Sequence, residues 1–142
     1  MFRTVEQSIP AELISGAPHP VPVTVRVVYS ADDPLAVRMV FPAAVSLSGG
    51  DVTWIFARSL LDRGLRAPSG LGDVHIRPGD RAGTTVELRA AQGVALLRFA
   101  TGRLRHFLLH SYATVPAGLE ARALDIDGGL TALLRGAREG QD

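Results

Sequence analysis

VTWIFARSLLDRGL, residues 52–65, changes its period midway, and that change decides the fold. Val52, Trp54 and Phe56 alternate with Thr53 and Ile55, the two-residue period of a strand with one buried face. From Ala57 the alternation stops, and Leu60, Leu61 and Leu65 fit a short helix over Ala57–Arg63. Gly64 is expected to close that helix in the left-handed conformation, with Leu65 folding back on Leu60. A strand that feeds directly into a packed helix places Trp54, the single tryptophan, in core or at a subunit interface rather than on a platform for stacking bases.

The same reading extends in both directions. Upstream, Thr4–Ile14 reads as a strand in which Pro10 argues for an edge or a bulge. Val23–Tyr29 and Leu35–Phe41 alternate around the turn Asp32-Asp33-Pro34, which predicts a hairpin. Ser48-Gly49-Gly50-Asp51 is a turn before the strand of Trp54. Downstream, Ala67–Asp73 reads as a loop, followed by strands Val74–Arg77, Thr85–Ala90 and Val94–Phe99, the last two as a hairpin. After Thr101-Gly102, Leu104, Phe107, Leu108 and Tyr112 fall at helical spacing, and Val115-Pro116 stops that helix. A last short helix is expected over Asp127–Leu134, with a loose tail from about residue 136. The expectation is one α+β domain spanning 1–142: antiparallel sheet of about seven strands, a short helix after the fourth, and C-terminal helices against one side. No repeat is visible.

Composition narrows the function. The chain has 142 residues, 15 basic against 14 acidic side chains, and no cysteine. A near-neutral balance lacks the basic excess that phosphate contacts demand. Without cysteine there is no disulfide, thiolate nucleophile or sulfur-ligated metal. The N-terminal stretch is a poor signal peptide and no segment is long and apolar enough to span a bilayer, so the expected location is cytoplasmic, without direct membrane insertion.

The residues of types that carry chemistry have simpler explanations. His106 and His110 are one helical turn apart, but Phe107 stands where the metalloprotease pattern requires Glu, so the pair is expected to be solvated. Gly70-Leu71-Gly72 precedes a strand, not the helix N-terminus that would cradle phosphate. Ser111 follows His110 directly and points about 100° away from it. No catalytic constellation, metal site or cofactor is expected. The arginines form the one suggestive pattern. Arg26, Arg38, Arg77, Arg89 and Arg98 sit on strands, with Arg103 and His106 along the following helix. They are candidates for a partner or nucleic-acid surface, or for a solvated face paired across strands with residues such as Glu87. Trp54, Phe56, Phe107 and Tyr112 are the candidates for core or subunit interface.

Several segments together resemble the SsgA-like proteins: D-P-x-A-V-x-x-x-F (Asp33–Phe41), V-x-W-x-F-A-R-x-L-L-x-x-G-L (Val52–Leu65), P-x-G-x-G-D-V-x-[IV]-x-P (Pro68–Pro78), and V-P-x-G-x-E (Val115–Glu120). G-x-A-L-L (Gly93–Leu97), L-x-x-F-L (Leu104–Leu108) and D-[IL]-D (Asp125–Asp127) extend the likeness over nearly all of the chain after residue 20. The family's pattern carries an acid where this chain has Thr53, and another where it has Ser59. The resemblance implies a non-enzymatic regulator of sporulation-linked cell division in actinobacteria, localising the division machinery at septa, one member by recruiting the tubulin-like FtsZ. It also implies a Whirly-like fold assembled as a homotrimer, with FtsZ or other division proteins as partners.

The alternative from a different class is a single-stranded nucleic-acid-binding module that uses the arginine-bearing sheet, which the charge balance disfavours. Apolar Val28, Val40 and Ile55 opposite the main core series give an independent reason to expect self-association.

Overall fold

The computed structural model describes residues 3–15, 18–43 and 50–121. The expected Asp127–Leu134 helix, the tail and part of the Ser48–Asp51 turn lie outside these residues.

Ten elements follow in order: β1 (Thr4–Leu13), β2 (Val21–Ser30), β3 (Ala36–Phe41), β4 (Val52–Ala57), α1 (Arg58–Gly64), β5 (Ser69–Leu71), β6 (Val74–Pro78), β7 (Gly83–Ala90), β8 (Gly93–Ala100) and α2 (Thr101–Thr114). The strands form one sheet in the order β4-β3-β2-β1-β8-β7-β6-β5, antiparallel throughout. Each half is a four-strand meander followed by a helix, so the backbone has an internal repeat that the side chains do not announce. The halves meet where β1 pairs with β8 through Ala11–Phe99, Glu12–Arg98 and Leu13–Leu97.

Alternation places every second side chain along a strand on the helix-covered face, and paired residues share a face. Val27, Met39 and Trp54 form one row across β2, β3 and β4, and Ile76, Val86, Leu97 and Leu13 form another across β6, β7, β8 and β1. Leu60, Leu61 and Leu65 around α1, and Leu104, Phe107 and Leu108 from α2, complete this core. The opposite face carries Glu6, Val28, Arg38 and Ile55 in one row and Ser8, Arg26, Val40 and Thr53 in the next.

The structure corrects three expectations. An eighth strand, Ser69–Leu71, lies inside the segment read as a loop. It is three residues long and contains Gly70, over which the His75 ring lies so closely that a Cβ would stand 1.9 Å from Nδ1; it is too short to show alternation. Gly64 is not left-handed: it is the last residue of α1, and Leu65 after it is also right-handed. Glycine is needed there because α1 presses on β6, where a Cβ would sit 2.4 Å from Ile76 Cγ2. Pro10 does not mark an edge strand, since β1 is central in the sheet. It pairs with Thr24 of β2 and lies one residue before the ladder to β8 begins, so its missing N–H meets no strand on that side.

Candidate interaction surface and the buried arginine behind it

The strand arginines all find carboxylates. Arg26 lies 3.9 Å from Glu6, Arg38 3.1 Å from Asp33, and Arg98 3.5 Å from Glu12, its direct neighbour across the central seam. Arg77 and Arg89 share Glu87, at 3.4 and 2.5 Å. The hydrogen bond from Arg89, with help from Arg77, holds the Glu87 carboxyl below its ordinary range against the opposing effect of burial. A depression of about 240 Å³ on this face is lined by His75, Arg77, Glu87 and Arg89. With Glu87 between the two guanidiniums, it holds a compensated cluster, not an open cationic cleft. Arg26, Arg77 and Arg98 are paired across strands, Arg89 with Glu87 of its own strand and Arg38 with Asp33 of the β2–β3 turn.

Helix α2 differs. Leu104, Phe107, Leu108 and Ser111 are buried and fix its rotation. Arg103, Arg105, His106, Leu109 and His110 consequently face solvent, Leu109 with 62% exposure. Among the described residues neither Arg103 nor Arg105 has a carboxylate in ion-pair range. The His106 and His110 rings meet edge to face, with centroids 4.4 Å apart.

Sequence reasoning missed Arg58, which is 1% exposed. Its guanidinium lies between the rings of Tyr29 and Tyr112, 4.6 and 4.5 Å from their centroids. Nη1 donates to the Ser111 carbonyl at 3.1 Å, Ser111 Oγ at 3.4 Å and the Val115 carbonyl at 2.7 Å. Nη2 donates to Glu120 Oε2 at 2.8 Å. Only Nε lacks an acceptor among the described residues. Glu120 Oε1 accepts from the Gly118 amide at 2.7 Å. Burial opposes ionisation of Glu120, but the Arg58 hydrogen bond and these amides outweigh it and lower its pKa.

The tyrosines complete the cluster. Tyr29 donates to the Pro34 carbonyl at 2.9 Å and Tyr112 donates to Asp62. Burial raises the pKa of both phenols, and for Tyr112 the hydrogen bond to Asp62 adds to the effect. The Arg58 amide donates to the Leu35 carbonyl at 2.8 Å. Three of the motif segments thus meet at Arg58: 33–41 at its backbone amide, and 115–120 at the guanidinium that 52–65 supplies. A signal was available: Arg58 stands at i relative to Leu61 (i+3) and Leu65 (i+7), an inward-facing helical position.

The remaining candidates divide by burial. Phe56 and Phe107 are core, while Trp54 and Tyr112 are half-buried and packed against it. Thr53 and Ser59 are exposed, so the two acids of the family pattern are missing from the surface of this chain. Ile55 is 57% exposed, beside Arg38 and in the row of Val28.

Comparison with known proteins agrees with this architecture. The family described as "Streptomyces sporulation and cell division protein, SsgA" matches residues 23–120. The sporulation-specific cell division protein SsgB of Kineococcus radiotolerans is 39% identical over 130 residues, covering 87% of this chain and 74% of that one. SsgB of Streptomyces coelicolor is 34% identical, with 94% and 98% covered. The crystal structure of an SsgA-like sporulation-specific cell division protein from Thermobifida fusca superposes with a TM-score of 0.82 at 33% identity, covering 92% of this chain and 95% of that one.

Proposed function

Since the chain belongs to the SsgA family of sporulation and cell division proteins, we propose that it is a non-enzymatic regulator of sporulation-linked division that localises or promotes assembly of the FtsZ machinery at septa. The carrying observation is that similarity to sporulation-specific cell division proteins runs through nearly the whole chain. The helix surface supports a protein-binding role: Arg103, Arg105, His106 and exposed Leu109 present cations and an apolar side chain together. Partner contact is assigned to this α2 face in preference to the sheet, whose arginines are already engaged by Glu6, Asp33, Glu87 and Glu12.

The active form is proposed to be a Whirly-like homo-oligomer, a trimer by the family resemblance. Its support is the sheet face that no described helix covers, where Val28, Val40 and Ile55 remain partly accessible. Among the described residues no helix is long and apolar enough to cross a membrane, and septal placement is assigned to partners.

The test is sedimentation of polymerising FtsZ from the same organism with the folded protein. Co-pelleting or increased polymer is expected. Absence of both would overturn the FtsZ assignment. The single-stranded nucleic-acid alternative predicts a gel shift at low salt that fades steeply as salt is added.

A further inference from the structure

We propose that His106 and His110 form a two-imidazole chelate for a divalent transition-metal ion on the exposed face of α2. The Glu absent from this helix is the general base of the metalloprotease pattern and not one of its ligands. Its absence removes peptidase chemistry and leaves chelation untouched. What chelation requires is two ring nitrogens within reach of one ion.

Zinc holds imidazole nitrogen at about 2.0–2.1 Å, so two imidazoles sharing an ion near a right angle place their nitrogens about 3 Å apart and their ring centres about 4.5–5 Å apart. The His106 and His110 ring centroids stand 4.4 Å apart at 65° in an edge-to-face contact, so chelation needs a rotation of one ring about its side-chain bonds to bring a nitrogen of each to the same ion, with the helix unchanged. Burial of Leu104, Phe107 and Leu108 holds both rings on the solvent side. Neither ring nitrogen pair is committed to a hydrogen bond within the described residues, unlike His75, whose Nε2 meets the Gly72 carbonyl at 3.1 Å.

The ligand chemistry selects the ion. Neutral imidazole suits copper, nickel and zinc over magnesium or calcium. Arg103, one turn before His106, and Arg105 beside it repel a cation and weaken its binding. No third His, Cys, Asp or Glu joins the pair among the described residues, so the ion keeps water at its remaining positions.

The experiment is calorimetric titration of the full chain with copper, nickel and zinc chlorides, alongside NMR of the histidine rings with trace copper. One ion per chain is expected, copper the tightest, with the His106 and His110 signals broadened together. His106→Gln and His110→Gln should each weaken binding by about 10–100-fold, at least the cost of losing an outer-shell support. The double variant should lose at least as much as either single one, because each single variant keeps one imidazole ligand. His19→Gln and His75→Gln should leave binding unchanged. Both chelate positions are exposed, and equal metal-free melting of variants and parent checks the fold. Lack of saturable binding, or parental affinity in either single α2 variant, would overturn the proposal. The outcome is independent of the FtsZ sedimentation result.

Discussion

Arg58 and Glu120, sixty-two residues apart, meet through a 2.8 Å charge-assisted hydrogen bond at the base of the core. The arginine is fully buried and its partner 19% exposed. Such a pair adds little net stability over an apolar substitute, but breaking it strands a charge. Arg58→Met, which also orphans the Ser111 and Val115 carbonyls, should destabilise the protein by about 3–5 kcal/mol. Glu120→Gln keeps an acceptor and should cost about 1–3 kcal/mol. Urea unfolding measures both, and a Glu120→Gln variant as stable as the parent would refute the electrostatic account.

The lowered pKa of Glu120 makes stability depend on pH. Its contribution is complete above the ordinary carboxylate value of 4.5 and is lost as pH falls through the depressed folded value, where the folded state takes up the proton. Glu120→Gln should therefore show a shallower loss of stability on acidification than the parent. Parallel stability–pH curves for the two proteins would count against it.

Tyr29 and Tyr112 are the chain's two tyrosines, and both phenols are shifted above the ordinary value of 10.0. Above that pH the unfolded chain ionises while the folded one does not, so stability falls as alkalinity rises. Ultraviolet titration should show no phenolate signal at the ordinary tyrosine pH, and then a steep rise together with unfolding. A smooth titration of either tyrosine near pH 10 in the folded protein would refute this.

Gly64→Ala ought to help α1 by helix propensity, by up to about 1 kcal/mol. The new methyl, however, would meet Ile76 Cγ2 at 2.4 Å and Cβ at 2.5 Å. Overpacking of this kind costs about 1–3 kcal/mol, so net destabilisation is expected from the denaturant midpoint. A left-handed cap would also resist alanine, and Ile76→Ala, which removes Cγ2, distinguishes the two: Gly64→Ala should cost less in the Ile76→Ala background than in the parent if packing is the cause.

Charge reversal separates the two arginine surfaces. Arg103→Glu with Arg105→Glu should reduce FtsZ co-pelleting at least about tenfold in affinity, a loss of roughly 1.4 kcal/mol. Arg26→Glu and Arg89→Glu, on the compensated sheet, should leave it near the parental level. The opposite ranking would move the partner to the sheet.

The legible part of this fold was the part written in periods and turns. β2, β3 and β4 are legible because their residues alternate, β7 and β8 because Pro78-Gly79-Asp80 and Gln92-Gly93 bound them, and α2 because Leu104, Phe107 and Leu108 share a stripe. β5 escaped since three residues around Gly70 define no period, and its place depends on pairing with β6. The roles of Gly64 and Pro10 depend on Ile76 and on the point where β8 gives way to α2, contacts that local sequence cannot express. Arg58 was hidden by its type: a cation reads as surface until Glu120, Ser111 and two tyrosines are brought around it. The strand arginines fit either a partner surface or a solvated face in sequence, and their ion pairs with Glu6, Glu12 and Glu87 depend on a register that local sequence does not express. The spacing of His106 and His110 was visible, while the approach of their rings was not.

The short seam between β1 and β8 has a kinetic consequence. Within each meander every strand pairs with its neighbour in sequence, so closure spans at most the ten residues between Phe41 and Val52, whereas Ala11 and Phe99 must meet across nearly the whole described chain. The halves are suited to forming early, and their joining to being the slow step. The Arg58–Glu120 contact, which fastens the first half to the segment beyond α2, then closes after the barrier. A chain weakened there should fold at nearly the parental rate but come apart faster, making this bond a determinant of how long each molecule stays folded.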